Sequence, residues 1–280
     1  MERRRDNFPF GPRGISAGAC AVPPKRILSV EDFAMKSGVY GLVRKPNLDG
    51  SEHSYFIKAP DTVSERFSTI ASDCLHNLRS ALDNLIYRLA ELNVERCKGG
   101  KPISPEDAGK IKFPICACPG DYQERFRGNL VRTSRDAKRL VKRFQPYERS
   151  TVYDADPLWM LRELQNIDKH RFLVRSSVDI DTVNLSVVPG TAADFVPGSA
   201  FLEGNCIQND QEVGKFIVNS PDPDLDLNVE PAFSIVLDGG PGEGRRLPTT
   251  LILILAQVRA IVAAAHELPE CRTTEPPTHR

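Results

Sequence analysis

The chain has 280 residues, 40% hydrophobic and 26% charged, which is enough apolar material for one large domain or two small ones and too much for wholesale disorder. Thirty-seven Lys and Arg balance thirty-seven Asp and Glu, so no global field steers a polyanion toward the protein, and any nucleic-acid contact must rest on a local patch. Seven cysteines follow no repeated spacing, and the opening MERRRDNFPFGPRG lacks the apolar stretch of a secretory signal; a reducing, cytoplasmic location is expected, without a disulfide framework.

In chain order, residues 1–26 hold Arg, Gly and Pro without apolar periodicity and read as a flexible tail. Two strands are predicted over 38–45 and 53–59, joined through Asn47–Gly50 with Asp49-Gly50 as the turn signal. A long helix is predicted from Thr62, which stands at capping-box spacing from Glu65, to about Val94. Its seam is Leu75, Leu78, Leu82, Leu85, Leu89 and Leu92, a stripe that needs a partner helix because it cannot bury itself. Residues 95–118 read as a connector ending in the extended Phe113-Pro114-Ile115 and the lone pair Cys116 and Cys118. Zinc sites need a second such pair or histidines at ligand spacing, so no metal and no cofactor are expected.

Two shorter helices follow, started by Asp121 with Glu124 and by Thr133 with Asp136, the second ending before Pro146. A helix from Pro157 to Phe172 has Asp156 as N-cap and Pro157 at N1. The texture then turns to β, with Val183–Val188, Val213–Val218 and Phe233–Leu237 in a region of about four strands. Within it, residues 201–243 carry nine Asp or Glu against Lys215 alone. Gly239-Gly240-Pro241-Gly242 reads as a turn. The last helix is predicted over 251–265, capped by Thr250 and ended by Pro269, with Leu251, Ile254, Leu255, Val258, Val262 and Ala265 on its inner face. It is too short to span a bilayer and is interrupted by Gln257 and Arg259, so no membrane association is expected. Residues 269–280 read as a polar tail. The expected fold is α+β: a helical bundle with an N-terminal β-hairpin and a C-terminal antiparallel β layer closed by a final helix. It divides into 27–172, hairpin plus helical core, and 173–268, β-rich region with closing helix.

The polar residues of two helices carry the chemistry to be weighed. His76 and Asp83 are seven apart on one face, Arg79 stands four before Asp83 at ion-pair spacing, and Asn77 and Asn84 repeat the interval. On the later helix, Arg162, Asn166 and His170 are spaced by one turn, with Asp168 and Arg171 on neighbouring faces. Arg79 is expected to meet Asp168, and Asp83 to meet Arg171 or Lys169, as a partly buried polar cluster that locks two helices in register. The histidines add acid–base competence near neutral pH, which makes His76, Asn166 and His170 the catalytic candidates. Residues 125–149 carry nine Lys or Arg and two acids. On the helix ending before Pro146, Arg135, Lys138, Arg139, Lys142 and Arg143 project away from the apolar Ala137, Leu140, Val141 and Phe144 as a nucleic-acid candidate patch. Trp159, beside Leu158 and Leu161, reads as a core anchor.

The succession HNLRSALD, FPI, QPY (145–147) and PLW with LQNIDKHR (157–171) resembles a family of uncharacterised bacterial proteins over about residues 35–265, a likeness that implies an architecture and no activity. More distantly, Gln165-Asn166-Ile167-Asp168-Lys169-His170 is similar to the RNxxxH signature of HEPN domains, helical bundles that often act as RNases. Asn166 and His170 match, and Gln165 stands where Arg is expected. Two expectations follow. One is a non-enzymatic scaffold that forms a homodimer or binds a protein partner; the other is a HEPN-like module that binds RNA or cleaves it without a metal.

Overall fold

The computed structural model describes residues 41–58, 65–97, 101–150, 152–169, 176–187, 200–201, 209–222 and 227–271. The tail 1–26, the cap Thr62, His170, Arg171 and most of the polar tail 269–280 lie outside them. The fold is α+β, and the described residues divide into two compact units, each discontinuous in sequence. One takes in the described residues of 73–166 and of 252 onward, the other those of 41–72 and 167–251.

The β unit begins with β1 (Gly41–Pro46) and β2 (Glu52–Lys58), antiparallel with Gly41 opposite Lys58 and Pro46 opposite His53. The turn forms because Asn47 and Asp49 hold it with side-chain bonds to Glu52 N and Ser51 N, and because Gly50 takes φ 74°, which a glycine adopts without strain. Strand β3 (Ser176–Val187) pairs antiparallel with β6 (Leu227–Leu237) as a two-stranded ribbon. The short β4 (Ala200–Phe201) pairs with β5 (Glu212–Ile217), which pairs in turn with β2. The four-stranded sheet therefore runs β1-β2-β5-β4. The region expected to hold about four strands holds β3 to β6. The hairpin's second edge is completed by β5, more than 150 residues later, because an isolated two-stranded hairpin is at best marginally stable. After β6, a turn with positive φ at Gly239, Gly240, Gly242 and Gly244 brings the chain back so that Leu237 N bonds Arg245 O.

Helix α1 (Glu65–Arg96) is 32 residues long, and from Asp73 onward it belongs to the helical unit. Its seam is buried at Leu75, Leu78, Leu82, Leu85 and Leu89, and only Leu92 is partly exposed. Inside the expected connector lies a short helix, α2 (Pro105–Lys110), capped by Ser104 accepting from Asp107 N. Helix α3 (Pro119–Asn129) starts two residues before the expected cap Asp121, because Pro119 is preorganised for the first turn. Helix α4 (Arg135–Arg143) is capped by Ser134, not Thr133; the Thr133 hydroxyl donates to Leu130 O instead. Then come the single turn α5 (Pro146–Arg149) and α6 (Pro157–Lys169), with Asp156 Oδ1 accepting from Leu158 N at 2.8 Å as the cap reading expects.

The last helix, α7 (Leu247–His266), begins four residues earlier than expected. Thr250 lies inside it and donates to Arg246 O, and Ile261 rather than Val262 faces the core. At 20 residues it is, among the described residues, the one helix long and apolar enough to cross a membrane; half of its most apolar window is buried in the protein, as in a core helix.

Candidate functional site

The segment Phe113–Cys116 is buried, yet it belongs to no helix or strand. Buried backbone groups need partners, and here side chains from three helical regions supply them. Asp83 Oδ1 accepts from Phe113 N at 2.9 Å, and Arg79 Nη2 donates to Phe113 O at 2.7 Å. Gln145 Nε2 donates to Pro114 O at 2.9 Å while its Oε1 accepts from Cys116 N at 3.0 Å. Arg162 Nη1 reaches Ile115 O at 3.4 Å, and Pro114 has no N–H to satisfy.

The donors of these bonds are themselves fixed. Arg79 and Asp83 meet as a fork, with Nη2 to Oδ1 at 3.0 Å and Nε to Oδ2 at 3.2 Å, the i,i+4 pair that the spacing implies. Gln145 is wholly buried and gives a third bond to Val141 O at 3.0 Å. With both ends of its amide used this way it makes no cap bond to α5, whose N-cap position it holds. Arg162 lies 4.4 Å over the Trp159 ring. HNLRSALD, FPI, QPY and the first turns of the α6 motif thus converge on one backbone segment. Burial around it pushes the Cys116 thiol up to about 11, while Cys118 is exposed at the start of α3.

The remaining candidates stand elsewhere. His76 and Asn77 are exposed on α1, and their side chains make no hydrogen bond among the described residues. Asn166 is exposed, whereas Gln165 beside it is turned into the core, so the position of the signature arginine does not face solvent. The side chain of Asp168, and His170 and Arg171 entirely, lie outside the described residues, and with them the expected cross-helix pairing. On α4, Arg135, Arg139, Lys142 and Arg143 are exposed and Lys138 is half-buried, 5.3 Å over the Phe126 ring. Trp159 is not a core anchor. It is half-exposed and meets Tyr153, itself 43% exposed, edge to face at 5.0 Å.

Sequence reasoning assigned no role to Gln145 or to the backbone of Phe113–Cys116. The signal was the buried-looking FPIC run, which has no strand neighbour to complete it. It also missed the outward face of α7. Ile252 is 40% exposed and Leu253 54%, and Ala256, Ala260 and Ala263 continue the same exposed side toward the C-terminus. Comparison with protein-family models, with curated proteins and with solved structures finds no match.

Proposed function

We propose that the protein is a non-enzymatic scaffold that acts as a homodimer, held through the outward face of α7. The observation that carries this reading is the shape of that face. Its N-terminal half presents the bulky Ile252 and Leu253; its C-terminal half presents the small Ala260 and Ala263 around the exposed Arg259, over about 17 Å of helix. An antiparallel copy sets the large residues of each helix against the small ones of the other, as an isologous interface requires. A chain exposing two large aliphatic side chains side by side also gains from covering them.

The polar motifs support the non-enzymatic part. Arg79, Asp83, Gln145 and Arg162 are bonded to one backbone segment, and Gln145 is sealed from any ligand. Gln165 points into the core and carries no charge to stabilise a cleaving phosphate. Co-expression of two differently tagged full-length copies tests the reading. Capture of one tag recovers the other from wild type and loses it with Leu253→Glu, a substitution at an exposed position that leaves the core intact. Failure to recover wild type, or recovery unchanged by the variant, contradicts it.

A further inference from the structure

Residues 125–149 carry nine cations, and the structure sorts them. Four meet carboxylates: Arg132 with Asp107 at 3.3 Å, Arg139 with Asp136 at 3.2 Å, Lys142 with Glu148 at 3.6 Å, and Arg149 with Asp156 at 3.5 Å. Among the described residues, Arg125, Arg127, Arg135, Lys138 and Arg143 have no carboxylate within ion-pair distance, although Asp121 and Glu124 share helix α3 with two of them. Helices α3 and α4 adjoin, since the Tyr122 hydroxyl donates to Lys138 O at 3.2 Å and the Lys138 ammonium rests over Phe126. The five uncompensated charges therefore lie on two adjoining helices, with Arg125 and Arg127, two residues apart, on different sides of α3.

Aromatic rings border that surface. The guanidinium groups of Arg143 and Arg149 lie 5.1 and 5.7 Å from the Phe144 ring centre. Arg149 then reaches Asp156, the cap of α6, one turn from the half-exposed Trp159 and its partner Tyr153. A row of cations that ends on an exposed aromatic pair matches two features of a single-stranded polynucleotide at once: a chain of phosphates and unpaired bases with free π-faces. A duplex hides those faces, and a lipid headgroup or an acidic peptide leaves the aromatic pair without a role.

We propose that the α3–α4 surface, with the Tyr153–Trp159 pair at its edge, binds single-stranded nucleic acid without cleaving it. Phosphates lie along Arg135, Lys138 and Arg143 of α4 and one of the two α3 arginines, Arg125 or Arg127, and a base stacks on the exposed Tyr153 ring. The proposal does not depend on the dimer.

The test is fluorescence anisotropy of the full-length chain with labelled oligouridylate and oligothymidylate, across a salt series. Four phosphate contacts on a single strand give a slope of about −2.8 in log affinity against log salt, a loss of about fiftyfold between about 50 and about 200 mM. Arg135→Gln with Arg143→Gln lowers the magnitude of the slope by about 1.4. Tyr153→Ala, at an exposed position, weakens binding about five- to a hundredfold and leaves the slope unchanged. Binding of only one of the two oligonucleotides identifies the natural strand, and binding of both supports the class. Absence of binding at low salt overturns the proposal. So does binding in which Tyr153→Ala has no effect while heparin or anionic phosphatidylserine vesicles bind equally well, because the surface would then be a general polyanion site.

Discussion

Gln145 shows how much one side chain can hold in place. It carries no charge, and its amide serves Cys116 N, Pro114 O and Val141 O at once. Gln145→Ala leaves those three groups buried without partners, at about 1–3 kcal/mol each if nothing relaxes, so a net loss of about 3–5 kcal/mol is expected in a urea titration. Asp83→Asn keeps an oxygen for Phe113 N and is expected to cost less than Asp83→Ala, which strands both that N–H and Arg79. An equal loss for the two Asp83 variants would mean that the ion pair, and not the backbone clamp, is what matters.

His53 poses the opposite case. It is wholly buried in β2, its Nε2 lies 3.1 Å from Gly50 O, and its Nδ1 has no hydrogen-bond partner among the described residues. Burial first, and then the Arg44 charge, hold its pKa below the ordinary histidine value, with Asp222 opposing. The unfolded chain takes up a proton near the ordinary value while the folded state resists it. Stability is therefore constant above that pH and falls as pH drops through it, until the lowered folded pKa is reached. Urea midpoints between about pH 7.5 and about pH 5.5 should decline for wild type and decline less for His53→Gln, which does not titrate.

At the scale of elements, the leucine seam of α1 is the most legible feature in the sequence, and its burial follows directly. Leu78, 1% exposed, should cost about 2–5 kcal/mol on truncation to alanine. A mild effect would mean that the seam repacks. Helix starts were legible only where one residue offered a cap. Asp156 did, with Pro157 behind it. Thr133-Ser134 offered two hydroxyls, and the chain uses the second, because Thr133 instead closes the turn back to Leu130. Spacing alone does not choose between adjacent hydroxyls. The early start of α7 was hidden because Leu247 and Pro248 read as loop beside the glycine turn. The Arg79–Asp83 pair was legible from its i,i+4 interval, but the backbone it grips was not. Local patterns do not show which distant segment needs partners.

For the molecule as a whole, the α+β class was legible from the alternation of textures, and the path of the chain was not. The pairing of β2 with β5 joins residues with no shared local signal, and register between distant strands is fixed by packing that no window of sequence contains. The same holds for function. The clustered motifs drew attention as candidate chemistry, and the structure bonds the most distinctive of them to Phe113–Cys116. The outward face of α7 came from a helix of which the sequence analysis weighed only the inner face.

The central claim, that this chain is a scaffold paired through α7, is tested most directly by sedimentation equilibrium of the full-length protein at tens of micromolar. The account predicts twice the chain mass for wild type and a single chain mass for Leu253→Glu, with the same circular dichroism spectrum for both and a wild-type urea midpoint that rises with protein concentration. A wild-type protein that sediments as one chain, or a Leu253→Glu variant that still sediments as two, contradicts it.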